Sequence, residues 1–191
     1  MNLFAFLRRR KPIPEPWAKY YTKEELNIKI PDISMYDQVK KSAHLYPEYI
    51  AYEYMGKKCL YKDFLDEINA WAKVFSKSGV KHGDIVSISL PNIPNVLVVL
   101  YALNKIGAIA NMVHPLSSEE EILFSLNSTK SKYLVMLNTF YSKIENIIDN
   151  SKVEAVIFAS ASDYMPFFTK IAYNITQIGK YKKYPKNNLF Y

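Results

Sequence analysis

Gly79-Val-Lys-His-Gly-Asp-Ile-Val-Ser-Ile-Ser-Leu-Pro-Asn-Ile-Pro94 decides the fold of this 191-residue chain. Lys81-His-Gly-Asp84 has the composition of a turn. Ile85-Val-Ser-Ile-Ser-Leu90 is a short apolar run bounded by turn signals, which predicts a strand. Pro91-Asn-Ile-Pro94 then opens a helix, because a proline in the first turn gives up only an N–H that has no intrahelical acceptor. That helix ends before Gly107, and residues 109–113 read as the next strand. Strand, helix and strand at this spacing form one βαβ unit, whose strands lie parallel.

The pattern extends in both directions. Upstream, residues 34–46 predict a helix with Ser34 as N-cap and Pro47 just past its end. Ile50-Ala-Tyr-Glu-Tyr54, Gly56 and Lys58-Cys-Leu-Tyr61 predict a short hairpin. Phe64, Ile68, Trp71 and Phe75 recur at helical spacing, with Gly79 placed for a left-handed C-terminal cap. Downstream, Ser117 with Glu120 predicts a capping box, and Glu119, Glu120 and Glu121 suit the positive end of the helix dipole. Residues 133–137 and 153–159 predict strands, with a helix over 139–149 that turns Phe140, Ile144, Ile147 and Ile148 inward. Residues 163–179 are helical in pattern, with Phe168, Ile171, Ile175 and Ile178 on one face. The fold class is therefore α/β: a mainly parallel sheet flanked by helices, with a short N-terminal β-hairpin. The expected organisation is a Pro-rich lead-in over 1–16, an α/β body over 17–160, and an amphipathic helix with a basic connecting tail over 161–191.

Composition narrows the function classes. Apolar residues make up 49% of the chain and charged residues 23%, enough for a packed core and too apolar for disorder. Cys59 is the single cysteine, so no disulfide framework exists, and a reducing, cytoplasmic setting is expected. The net charge of +7 sits at the ends. Arg8, Arg9, Arg10 and Lys11 lie in an acid-free start, and Lys180, Lys182, Lys183 and Lys186 in an acid-free tail. The body between them holds 17 basic and 18 acidic residues, which argues against a nucleic-acid partner. The apolar start precedes its positive charges, the reverse of a secretory signal, so none is expected. The longest purely apolar run, residues 96–103, falls far short of the roughly 20 residues a membrane span needs. Phe4 and Phe6 beside Arg8, Arg9, Arg10 and Lys11 nevertheless match an interfacial contact with an anionic membrane.

Catalytic chemistry is hard to find. Phosphate cradles need clustered glycines, and the five here (56, 79, 83, 107 and 179) never lie within three residues of one another. That spacing excludes a P-loop and a dinucleotide fingerprint. His44, His82 and His114 lack partners at metal-ligand spacing, so no metal site is expected. There is no Gly-x-Ser-x-Gly elbow, and the three glutamates read as a solvated helix start. No catalytic residue is assigned.

The order of segments resembles a known family. Tyr61-Lys-Asp-Phe-Leu65, Gly79-Val-Lys-His-Gly-Asp84, Val86-Ser-Ile-Ser-Leu-Pro-Asn92, Ala102-Leu-Asn-Lys-Ile-Gly-Ala108 and His114-Pro-Leu116 resemble, in order and spacing, the start of the adenylate-forming acyl-CoA synthetases. Trp17-Ala-Lys-Tyr-Tyr21 and Ser125-Leu-Asn-Ser128 are similar to the bacterial long-chain fatty acid members. The resemblance covers residues 16–160. His114 stands where the family usually has Asn, and the family's N-D-S-G-A pattern appears as Asn127-Ser-Thr-Lys-Ser131.

The resemblance implies the first subdomain of an enzyme that uses ATP, Mg and CoA. A carboxylate, here a fatty acid, attacks the α-phosphate of ATP, and a thiol then takes the acyl group. It places Asn92, His114 and Pro115 near the substrate. The family's Ser/Thr/Gly-rich ATP loop has no counterpart in the 191 residues. The expectation is thus an N-terminal fragment, inactive alone, whose partner is the remainder of the ligase chain. The alternative is a stand-alone, non-catalytic adaptor or pseudoenzyme of that fold.

Overall fold

The computed structural model describes residues 15–179 and 183–185. The chain divides into two units, residues 1–32 and 33–191. In the first, a 3-10 turn over Ala18–Tyr20 precedes a one-turn helix, α1 (Lys23–Leu26). Thr22 caps α1, accepting from Glu25 N–H while the Glu25 carboxylate accepts from Thr22 N–H.

The second unit opens with α2 (Met35–Leu45), capped by Ser34 as its sequence predicts. The hairpin follows as β1 (Ile50–Tyr54) and β2 (Lys57–Leu60), joined through Met55 and Gly56, both at positive φ. That pair makes the turn whose twist matches the strands. Then come α3 (Tyr61–Lys77), β3 (Ile85–Ser89), α4 (Pro94–Ile106) and β4 (Ile109–Met112). After these lie α5 (Glu119–Thr129), β5 (Tyr133–Leu137), β6 (Ala155–Ala159) and α6 (Phe167–Gln177). The four later strands form one parallel sheet in the order β4-β3-β5-β6.

Alternation along each strand sends side chains to opposite faces, and two cores result. Val86, Ile88, Val135 and Ile157 join Phe64, Ile68, Phe75, Val98 and Leu103 of α3 and α4. Leu134, Met136 and Val156 face the other way, against Ile122 and Leu126 of α5 and Ile144 and Ile148. Helices on both faces of a parallel sheet are the doubly wound arrangement expected from the sequence.

Two predicted helix features move. The N-cap of α5 is Ser118, with Glu121 completing the box, one residue beyond the predicted pair. Both pairs satisfy the spacing, but Ser117 N–H is taken by the His114 carbonyl at 3.1 Å in the turn after β4. The predicted helix over 139–149 is instead a pair of 3-10 turns, Asn138–Lys143 and Ile148–Asn150. Its buried residues Tyr141, Ile144 and Ile147 recur every third position, the 3-10 period, and bonds such as Ile147 N–H to Ile144 O span three residues. Short polar side chains disfavour a longer helix there; Ser151 Oγ, for instance, donates to Ile148 O at 2.7 Å.

The quoted turn meets the end of α4. Gly83 N–H donates to Gly107 O at 2.9 Å, and Ile109 N–H to Asp84 O at 2.8 Å. Gly107 holds φ +73°, and a Cβ there would run into the His82 imidazole, so glycine is required twice over.

Candidate functional site

In an open parallel sheet, ligands bind where neighbouring strands send their connections in opposite directions, at the strands' C-terminal ends. Here β3 connects outward through α4 to β4, while its neighbour β5 connects the other way to β6. The crevice between β3 and β5 is that switch point, and a cavity of about 420 Å³ lies at its mouth. Its size falls within the range of small-molecule pockets.

Three segments build the cavity. Leu90, Pro91 and Asn92 follow β3; His114, Pro115 and Leu116 follow β4; Phe140 follows β5. The structure therefore gathers Asn92, His114 and Pro115, the three residues singled out in sequence, although 22 positions separate the first two. Leu90 is buried, Pro91 and Pro115 are half-buried, and Asn92 and His114 are exposed. His114 Nδ1 accepts from Leu116 N–H at 3.3 Å, which leaves Nε2 as the N–H donor of the neutral ring. An apolar wall with one amide and one imidazole can orient a polar head beside an apolar chain.

Lys143, invisible to motif reading, holds the walls together. Its ammonium donates to Ser117 O at 2.9 Å and Pro115 O at 3.4 Å, and lies 5.5 Å from the centre of the Phe140 ring. Carbonyl acceptors in a distant loop leave no residue-type signature, so no sequence signal marks this lysine. Three polar atoms on the same side of the sheet have no hydrogen-bond partner: Ser89 Oγ at the end of β3, Asn95 Oδ1 at the start of α4, and Asn138 Oδ1 after β5. Ser89 and Asn95 are each 1% exposed. A buried polar atom without a partner is costly, and such atoms concentrate at functional sites.

A second cluster joins the hairpin, α3 and the connection after β6. Tyr52 O–H donates to Glu67 Oε2 at 3.3 Å, and the Tyr52 and Tyr164 rings meet edge to face. Burial holds the Glu67 carboxyl above its ordinary range, against the opposing hydrogen bonds from Tyr164 and Tyr52. Burial likewise pushes the Tyr52 and Tyr164 phenols and the Cys59 thiol upward. A thiol kept protonated is a poor nucleophile, so this cluster fastens the connection rather than reacting.

Among the described residues no three His, Cys, Asp or Glu side chains converge as metal ligands. The cavity residues thus do not fit a Mg site, and no step is derived through one. Phe4, Phe6, Arg8, Arg9, Arg10 and Lys11 lie outside the described residues. Among the described residues no helix is long and apolar enough to cross a membrane.

Comparison with known proteins agrees with this geometry. The profile of the AMP-binding enzyme family matches residues 39–183, which include every wall of the cavity. The long-chain-fatty-acid–CoA ligase of Bacillus subtilis is 27% identical over 164 residues, covering 85% of this chain and 29% of the ligase. That of Haemophilus influenzae is 25% identical over 157 residues, covering 82% of this chain and 28% of the ligase. The chain therefore spans under a third of the length of these relatives. Among solved structures, a long-chain-fatty-acid–CoA ligase from Archaeoglobus fulgidus superposes with TM-score 0.64 at 18% identity, over 84% of this chain and 33% of its own. The coronafacic acid ligase of Pectobacterium brasiliense does so with TM-score 0.63 at 20% identity, over 66% of this chain and 26% of its own. At those identities the structural likeness is one of fold. With three quarters of its residues inside the family profile and the same doubly wound sheet, this chain belongs to the AMP-binding enzyme family.

Proposed function

We propose that this chain is the N-terminal α/β portion of an ATP-dependent, AMP-forming fatty acyl-CoA ligase, and that it does not catalyse the reaction by itself. The observation that carries this reading is the switch-point cavity, whose walls include Asn92, His114 and Pro115, within the region matching the AMP-binding family. In the full reaction a fatty carboxylate attacks the α-phosphate of ATP, pyrophosphate leaves, and the CoA thiol then displaces AMP. ATP, Mg and CoA serve the complete ligase, and the remainder of that chain supplies the nucleotide loop. Here the apolar wall of Leu90, Pro91 and Pro115 receives the acyl chain near its head, while Asn92 and His114 offer N–H donors beside it. Residues 17–160 act as the subdomain, 1–16 as a lead-in whose Phe4, Phe6 and Arg8–Lys11 contact an anionic membrane, and 161–191 as the connection onward.

The test is fatty-acid-dependent ATP–pyrophosphate exchange. The 191-residue chain should show none, and the chain fused to the complementary portion of the Bacillus subtilis relative should show it. In that fusion, Asn92→Ala and His114→Ala should raise the KM for fatty acid by about tenfold, the loss of one hydrogen bond in the complex. Exchange by the chain alone would refute the non-catalytic reading. Exchange by the fusion only with amino or aryl acids would refute the fatty-acid assignment.

A further inference from the structure

The helix α6 is amphipathic by sequence, yet its apolar face covers nothing. Phe168, Ile171, Ile175 and Ile178 recur at intervals of three and four residues and so share one stripe. Their exposures are 82%, 42%, 63% and 77%, and the adjacent Phe167 is 70% exposed. No residue of α6 is buried. Five large apolar side chains on a three-turn helix form a contiguous patch of the kind that marks an interaction surface.

The charge around that patch says what kind of surface it meets. From Tyr164 to Tyr191 the chain carries Lys170, Lys180, Lys182, Lys183 and Lys186 and no aspartate or glutamate. Lys170 lies within α6, and the others follow within two turns' length of its end or a little beyond. A protein partner that buried the apolar stripe would leave the surrounding positive charge unexplained. An anionic lipid surface satisfies both, with apolar side chains entering the acyl boundary and ammonium groups remaining among the headgroups.

We propose that α6 is an interfacial helix that docks this chain on anionic membranes, with Phe168, Ile171, Ile175 and Ile178 inserted and Lys170 and Lys183 at headgroup level. Docking there is separate from any contact made by residues 1–11, and it rests on exposure and charge alone, so it stands or falls independently of the ligase reading. A helix of 11 residues, about 16 Å long, lies along the surface and does not cross it.

The test is co-sedimentation of the full chain with phosphatidylcholine vesicles, with and without about 30% phosphatidylglycerol, a lipid that supplies the negative surface charge. The wild-type chain should partition onto the anionic vesicles and respond to salt. Phe168→Ser with Ile175→Ser should lower partitioning by about tenfold, through lost apolar insertion. Because both side chains are exposed, the thermal midpoint should not move. Lys170→Glu and Lys183→Glu should each lower partitioning several-fold, and a Phe168→Trp probe should shift its emission to the blue on anionic vesicles. Deleting residues 1–11 should leave the effect of the serine pair intact. The proposal is overturned if the wild type stays in the supernatant with anionic vesicles, or if the serine pair sediments like the wild type. It is also overturned if the chain dimerises through this face, the serine pair being monomeric, while vesicles bind neither form.

Discussion

Lys130 closes α5 in a left-handed conformation, φ +56°, a position where a side chain is strained and glycine is the usual occupant. Its N–H donates to Asn127 O, and Ser131 N–H reaches back to Leu126 O, the double bond of a Schellman cap. The turn is held because Ser131 is needed inside. Its hydroxyl is fully buried, 2.7 Å from both Ser87 Oγ of β3 and Thr129 Oγ1, while Asn111 of β4 donates to Ser87 Oγ. Lys130→Gly should therefore stabilise the fold by about 1 kcal/mol, raising the midpoint of a thermal melt by roughly 2–4 °C. A drop in the midpoint would refute the strain. Asp84 supplies a second test at this scale. The Lys132 ammonium, at 2.8 Å, and the Lys81 N–H hold its carboxyl below the ordinary carboxylate range. The folded state thus binds this proton more weakly than the unfolded state. The stabilisation is complete above the unfolded value and is lost as pH falls toward the folded one. Asp84→Asn should melt lower than wild type at neutral pH and lose less stability between about pH 5 and pH 3. Parallel acid limbs would exclude Asp84 as the source.

At the scale of elements, helix caps and hairpin were legible because their signals are local. Ser34, the Gly79 and Gly107 ends, and Pro94 in the first turn of α4 all stand where sequence places them. The segment after β5 was not legible, since apolar residues at 140, 144, 147 and 148 suit an α-helix as well as the 3-10 turns that form. Burial of Tyr141 under α5 and β6, paired edge to face with Phe158, selects between them. Lys143 belongs to this segment and ties it to the loop after β4, across the cavity. Lys143→Met keeps the aliphatic stem and removes both bonds to carbonyls. It should leave the global melt within about 1 kcal/mol while raising amide exchange over residues 114–118 several-fold. Unchanged exchange there would mean that the loop holds itself.

For the whole molecule, the decisive fact is how the strand order places the loops. Asn92 and His114 were named in sequence by resemblance, but only the order β4-β3-β5-β6 brings their loops and Phe140 around one cavity. The same order leaves Ser89, Asn95 and Asn138 with unpartnered polar atoms on that side of the sheet. These mark where the remainder of a ligase, or its substrate, would complete the hydrogen bonding. The glycine spacing carries the complementary message, since no stretch of this chain can wrap a phosphate chain with backbone N–H groups.

Sequence by itself determined the alternation of strands and helices, most of their caps, the family, and the absence of a glycine-rich phosphate loop. Each of these depends on residue type and on spacing along the chain, through local backbone preference and apolar period. Tertiary structure decided the remainder. It chose Ser118 over Ser117 as a cap, 3-10 turns over a helix, Lys143 as the tie across the cavity, and the exposure of α6. Those outcomes depend on which groups meet across the fold, and an apolar stripe reads the same in sequence whether packing covers it or leaves it bare.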